Sequence, residues 1–442
     1  MATRGSWGSN MGFILAAVGG AVGLGNLWGF AYSASQGGGA AFVVLYLLFV
    51  LFVGLPVLTA ELVIGRRTAK SPIEALLAVG GARWRWLGFV FVIAGFGILS
   101  FYSVIMGWTG RLLVDFLRGA VPTDTAAHFG AISEGPGAIV AHLVGMALTI
   151  AVIIGGVQKG IERVSVVLMP VLFVLVAALA VWASTLSGAG PGYAFYLRPD
   201  LSRVFHTQTI TGAAGQAFFS LSLGMGAMIT YASYLSGRGN LAAKAGVIAL
   251  SDTLVAFVGG LVTFPVIYHF GLQAEVSDSA IGALFIAVPR GILSLGTAGQ
   301  VVAVAFFLTL YIAALTSAIS LLEVVASALI DSRGWTRERA GWVGGGAIAL
   351  AGIPGALSSD WVGFLFQLFG QVFLVFGGVM LGILVGYVWS GPAREELLNG
   401  FSSRPLAEGW IWLLRTVVPV MLAVSLFFAV RALGPAFRAV FS

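Results

Sequence analysis

"GGAVGLGNLWGF", residues 19–30, lies in an apolar run that begins near Met11, and its reading decides the fold. Five of its residues are glycine and one is asparagine, where a membrane helix favours leucine. Glycine loosens a helix and asparagine brings an amide into it, so the stretch interrupts its own helix. What that break means depends on the surrounding solvent. Of 442 residues, 59% are hydrophobic and 9% charged. At a mean hydropathy of +1.01, apolar runs of about 20 residues are read as bilayer spans. The chain is thus an integral membrane protein, with the lipid bilayer as its first partner. It contains no cysteine, which excludes disulfides and thiolate metal sites, and His128, His142, His206 and His269 stand without ligand spacing. Only Arg4 precedes the first run as a basic residue, and Asn26 and Trp28 sit where a cleavable leader would end in small residues. The run is therefore read as a retained first span.

Hydropathy outlines eleven candidate spans: residues 11–36, 40–64, 86–116, 136–155, 164–186, 212–236, 244–271, 299–331, 341–356, 361–389 and 411–435. Arg4, Arg66, Arg67, Lys70, Arg83, Arg85, Lys159, Arg163, Arg238, Lys244, Arg333, Arg337, Arg339, Arg394, Arg404 and Arg415 all fall on one side. Arg111, Arg118, Arg198, Arg203, Arg290, Arg431 and Arg438 fall on the other. The positive-inside rule makes the richer side the cytoplasm, with the N-terminus inside and the C-terminus outside a plasma or inner membrane. The net charge of +6 and pI near 9.8 then reflect topology and imply no nucleic-acid partner.

Span 6, "GQAFFSLSLGMGAMITYASY" (residues 215–234), is broken by glycines and hydroxyls from Ser220 to Gly226, much as span 1 is broken from Gly19 to Asn26. The two breaks are five spans apart. Five is odd, so a second copy of a five-helix unit inserts upside down, and matched breaks in two such halves point to a midplane site. The expected fold is all-α and polytopic, an inverted 5+5 repeat with broken helices 1 and 6 plus an eleventh helix. Its units are residues 1–190, 191–392 and 393–442. Backbone freed in mid-membrane persists only where protein, ions or a polar ligand satisfies it: free carbonyls suit Na⁺, and half-helix N-termini suit a carboxylate. The plainer reading of Gly19 and Gly23 is a GxxxG packing motif. A dinucleotide loop is excluded by Trp28 at the third glycine position and by the lack of a preceding strand.

"GxAVGLGNLWxF", "GGGAAFVVLYLL", "GLPVLTAELVIGR", the span 6 string and "LTSAISLLE" together resemble the neurotransmitter:sodium symporter family, especially its bacterial amino-acid transporters. The specific motifs run from Arg4 to Asp331. The resemblance implies two sodium ions. The second site would use the carbonyls of Gly19, Val22 and Ala313 with the hydroxyls of Thr316 and Ser317, a neutral oxygen set suited to a monovalent ion. Thr316 and Ser317 can equally bond back to their own helix. The first site would use the Ala21 carbonyl, Asn26, Ser220, and either Ser251 or Asp252 on span 7. Asp252 is favoured, because an intramembrane carboxylate is costly unless paired; the competing reading puts it near the cytoplasmic end against Lys244. Tyr46, Gln216 and Ser220 match part of the anion pocket of chloride-dependent relatives, and a fixed Asp252 carboxylate makes chloride unnecessary.

The implied substrate is an amino acid. Its ammonium would meet the carbonyls of Ala21 and Phe219 and the Ser222 hydroxyl; its carboxylate would meet sodium, the N–H groups of Leu24 and Gly25, and the Tyr102 hydroxyl. Monoamine-carrying relatives have an aspartate where this chain has Gly23, so the substrate must bring its own carboxylate. Ile98, Tyr102, Phe219, Met225, Ala318 and Leu321 would form an apolar side-chain pocket, pointing to a hydrophobic or aromatic amino acid. The family pattern "GNxWRFP" reads "GNLWGFAY" here, with Gly29 and Ala31 at the changed places, and span 10 offers Gln367 or Gly370 where an aspartate is expected. Loss of both charges leaves Tyr102 and Phe219 alone to close the outer side. The cytoplasmic gate would use Arg4 and Trp7, with Asp331 as ionic partner and Ser233 and Tyr234 nearby. Gly160 and Pro170 reproduce a family Gly-x₉-Pro spacing where span 5 can unwind; by itself Pro170 could simply kink the helix. Glu61 matches a glutamate that satisfies free backbone, or pairs with Arg66 or Arg67. No nucleophile stands near a base, so no enzyme is expected. Competing functions are a channel, a permease coupled differently (sodium-independent, or with Asp252 as a proton site), and a non-transporting amino-acid sensor of the same fold.

Overall fold

The structure, a computed structural model, describes the chain apart from residues 1–4, 199, 236, 238, 400–402 and 442, so Arg4 and Arg238 lie outside the described residues. Every regular element among the described residues is a helix. Nine are long and apolar enough to cross a bilayer: Ala40–Thr68, Ala82–Leu117, Pro136–Ile154, Val157–Ser184, Leu241–His269, Gly296–Arg333, Arg337–Leu357, Ser359–Val388 and Arg404–Phe441. These are spans 2–5 and 7–11. Span 1 is a bent pair, Asn10–Ala21 (1a) and Gly25–Gln36 (1b), with 53° between its halves. Span 6 divides into Thr207–Ser220 (6a) and Ala227–Ala232 (6b), each too short to cross alone.

Both breaks fall where the sequence places them. Val22 turns extended, with φ −67° and ψ 115°, and ends 1a. In span 6, Ser222, Gly224 and Gly226 all take positive φ. Gly224 is required twice over, by its φ of +77° and because a Cβ there would run into the backbone of Leu374 and Gly378 on span 10. The breaks lie side by side: Ser222 Oγ donates to Gly20 O at 3.0 Å and Gln216 Nε2 to Gly25 O at 2.8 Å. An inverted 5+5 arrangement requires this meeting at the centre.

Spans 3 and 8 form the inner scaffold, with 67% of each apolar window buried, whereas spans 5 and 11, at 28% and 22%, lie at the periphery. Span 5 starts with a loosened π-helical turn, Val157–Glu162, and carries Pro170 inside its helix. Glu162 in that turn caps the start of span 1: Oε2 accepts from Gly8 N at 2.6 Å and Oε1 from Ser9 Oγ at 2.8 Å. Gly12 lies against the same carboxylate, and a Cβ there would overlap it. Span 11 departs from its expected bounds. The helix begins at Arg404 with an amphipathic segment, Arg404–Arg415, whose polar residues kept it outside the hydropathy window, and turns at Thr416 into Val417–Phe441.

Candidate functional site

Asn26, just inside 1b, is the hub of a buried polar cluster. Its Nδ2 donates to Asp252 Oδ1 at 2.7 Å and to Ser220 Oγ at 2.8 Å, while its Oδ1 accepts from Gly23 N at 2.9 Å. Ser220 Oγ donates to Asp252 Oδ2 at 2.6 Å, and Tyr46 OH approaches Ser220 Oγ at 3.3 Å. Asp252 is fully buried with both carboxylate oxygens engaged. Of the two span 7 candidates it is Asp252 that faces Asn26 and Ser220, with Ser251 turned about 100° away around the helix. Lys244 does not meet Asp252; its Nζ donates to Asn10 Oδ1 at 2.5 Å and lies over the Phe13 ring.

The second oxygen set is also gathered. Ser317 Oγ donates to Val22 O at 3.0 Å and lies 3.5 Å from Gly19 O. Thr316 Oγ1 bonds back to Ile312 O and Ala313 O, each at 3.1 Å. A Cβ on Gly19 would come within 3.2 Å of Thr316 Cβ, so span 8 presses directly on the end of 1a. The set is all oxygen and carries no carboxylate, a composition suited to a weakly held monovalent cation and poor for Ca²⁺ or Mg²⁺.

Between the two sets lies a cavity with an empty volume of about 360 Å³. Ala21, Gly25, Ile98, Tyr102, Phe219, Ser222, Met225 and Leu321 line it, as expected from the sequence, together with Gly23, Asn26 and Ser317. Leu374 of span 10 also lines it and was missed, because one leucine among many in an apolar span gives no contrast. Two other expected residues stand just outside its lining. Ala318 is buried but does not line the cavity, and Leu24 lines the space above it while donating its N–H to Tyr102 OH at 3.1 Å. A Cβ on Gly23 would stand 2.8 Å from both Ser317 Oγ and Tyr102 OH, so a side chain there would have to displace those two hydroxyls.

Above Tyr102 and Phe219 opens an apolar vestibule of about 1140 Å³, and Gly25, Tyr102 and Phe219 line both spaces. A Cβ on Gly29 would find only Gln216 Oε1 at 3.7 Å and a backbone oxygen, and Gln367 Nε2 donates to Ala429 O of span 11. No ion pair joins these positions.

The opposite end, at Trp7, is sealed. Trp7 Nε1 donates to Tyr231 O at 2.8 Å, Trp7 N to Tyr234 O at 3.3 Å, and the Trp7 ring packs edge-on against Tyr231 and Tyr234. Tyr234 OH donates at 2.5 Å to Glu323, which also pairs bidentately with Arg337 at 2.8 and 2.9 Å. Glu323 was not singled out in the sequence, although a carboxylate in an apolar run was the available signal. Asp331 accepts from Ser71 N at 2.7 Å. Glu61 accepts from Gly224 N at 2.9 Å and Met228 N at 3.1 Å, so it serves the free backbone of span 6, while Arg66 and Arg67 pair with Glu396.

With this geometry in place, comparison with known proteins is informative. A profile of the Sodium:neurotransmitter symporter family matches residues 4–130 and 127–435. An uncharacterized sodium-dependent transporter of Bacillus subtilis is 34% identical over 442 residues, covering 95% of this chain and 96% of the relative. Another from Methanocaldococcus jannaschii is 32% identical, covering 96% of this chain and 90% of the relative. The crystal structure of MhsT in complex with L-phenylalanine superposes with a TM-score of 0.88 at 37% identity, covering 97% of this chain and all of that one.

Proposed function

The chain belongs to the sodium:neurotransmitter symporter family, whose members are transporters and not enzymes, and on that premise we propose that it is a sodium-coupled symporter of hydrophobic or aromatic amino acids. The observation that carries the proposal is the cavity wedged between the two helix breaks. Its floor and sides offer backbone and hydroxyl groups to a zwitterion, and its remaining wall is Ile98, Phe219, Met225, Leu321 and Leu374. Such a site rejects a molecule that leaves its buried polar groups unpaired and accepts one with an ammonium, a carboxylate and an apolar side chain. Gly23 has no side chain to offer, which leaves the carboxylate to the substrate. That L-phenylalanine accompanies MhsT, at 37% identity, supports an aromatic or aliphatic substrate here.

Two sodium ions would serve the transport cycle as co-substrates, one at Ala21, Asn26, Ser220 and Asp252, the other at Gly19, Val22, Ala313, Thr316 and Ser317. Asp252 supplies the fixed negative charge that otherwise calls for an anion, so chloride is not required. Units 1–190 and 191–392 would alternate access to the cavity, Tyr102 and Phe219 on the outer side and Trp7 and Tyr234 with Arg4 and Asp331 on the inner, in a plasma or inner membrane with the N-terminus cytoplasmic. One observation favours a second reading: Asp252 is fully buried in mid-span, where a bare carboxylate is costly, and a proton could neutralise it in place of sodium. Thermal unfolding of the purified protein against each amino acid, in sodium chloride, sodium gluconate and potassium chloride, separates the readings. Stabilisation by leucine- or phenylalanine-like substrates in both sodium salts and not in potassium is expected. Equal stabilisation in potassium would favour the proton-coupled permease, and no stabilisation by any amino acid would withdraw the substrate class.

A further inference from the structure

The family pattern has an ion pair over the vestibule, and here both charges are missing. Three aromatic rings occupy the vestibule floor instead. Phe366, at the start of the π-helical segment Phe366–Phe373 in span 10, packs edge-on against Phe219 of 6a at 5.4 Å and 73°, and against Phe101 of span 3 at 5.9 Å and 87°. We propose that Phe366 is the outer gate residue of this transporter, its ring holding Phe219 down over the central cavity in place of the missing charged pair. The proposal rests on the reading of that cavity as the substrate site.

Four observations carry it. Phe219 lines both the cavity and the vestibule, whereas Phe366 and Phe101 line the vestibule alone, so Phe366 backs the lid from its outer side. Phe219 cannot swing outward unless Phe366 moves. Gly370, one turn further along span 10, leaves the space for both rings: a Cβ there would stand 3.3 Å from Phe366 and 3.4 Å from Phe219. The Phe366 ring is half-buried and borders the vestibule and the adjoining cleft toward span 11, so ordinary lipid-facing packing does not account for its position. The polar candidates are also engaged elsewhere, Gln367 with Ala429 O and Gln216 with Gly25 O. Edge-to-face rings attract by apolar burial and ring quadrupoles, neither of which salt screens. Closure from three different spans is therefore hydrophobic, and Tyr102 and Phe219 are not its whole machinery.

The absence of cysteine makes a clean test possible. Ser222→Cys places a single thiol beneath the lid, and its labelling by a membrane-impermeant maleimide added outside reports lid opening in the reconstituted full-length protein. Phe366→Ala in that background is expected to label about tenfold faster, and Phe366→Ala alone, with Ser222 kept, is expected to release bound L-phenylalanine faster by a similar factor, the loss of two ring contacts. Phe366→Tyr, which keeps the ring, should stay near the parent rate, and labelling of the parent should not change with ionic strength. Phe101→Leu provides an independent variant and should also accelerate labelling. Equal labelling rates in Phe366→Ala, Phe101→Leu and the parent would overturn the proposal, as would labelling of the parent that rises steeply with salt. If labelling accelerates but no version retains L-phenylalanine, the lid stands and the substrate assignment fails. If L-phenylalanine is retained and labelling is unaffected, the reverse holds.

Discussion

Glu61 shows how single residues make a broken membrane helix tolerable. Its carboxylate is fully buried, yet it accepts hydrogen bonds from Gly224 and Met228, two N–H groups freed by the span 6 break. An unpaired buried N–H costs about 1–3 kcal/mol. Glu61→Ala strands both groups and should lower stability by at least about 2 kcal/mol, read as a fall in the unfolding midpoint in detergent. Glu61→Gln, which retains one acceptor oxygen, should lose less. The resemblance to the family marked this residue in the sequence. The sequence also marked Asn26, Ser220 and Asp252, because a polar side chain among leucines has contrast. Where contrast vanished, so did legibility: Leu374 and Phe366 are apolar residues in apolar spans, and only their placement distinguishes them.

At the scale of elements, span 1a is a lever hinged at Val22 and fastened at its far end by span 5. The Glu162 carboxylate engages Gly8 N and Ser9 Oγ at the first turn, where a helix dipole favours negative charge. Glu162→Ala removes the brace on the Ser9 cap and should shift the equilibrium toward cytoplasmic opening by about 3–10-fold, in keeping with the usual net worth of a hydrogen bond. Faster labelling of a thiol at Ser320, added from the cytoplasmic side, would show it, with no change in sodium affinity measured from outside. The helix breaks themselves were legible because glycine clusters contradict an apolar helix. The link between spans 5 and 1 was not, since Glu162 and Gly8 lie 154 positions apart and nothing in a sequence pairs them. Register was the other limit. A shift of one residue on span 7 exchanges Ser251 for Asp252, and only the helix orientation decides which faces Asn26.

Across the whole molecule, the end at Trp7 is closed by charge and hydrogen bonding, and rings line the vestibule at the opposite end. Glu323 is fully buried and depends on Arg337 and Tyr234 for its partners. Arg337→Ala leaves that carboxylate without its counter-charge, a loss of about 3–5 kcal/mol to the closed arrangement. The variant should rest inward-open, with a thiol at Ser233 labelled rapidly from the cytoplasm, and Glu323→Gln combined with Arg337→Ala should recover much of the closure. The two ends must then respond differently to temperature. Burying apolar rings lowers heat capacity, and the driving force for such burial fades on cooling, while a salt bridge carries no comparable dependence. A transporter closed outside by Phe101, Phe219 and Phe366 loses its grip on substrate in the cold, so its binding enthalpy changes with temperature and its van 't Hoff plot curves. Such a lid would make the protein a mild thermometer, its grip slackening in the cold.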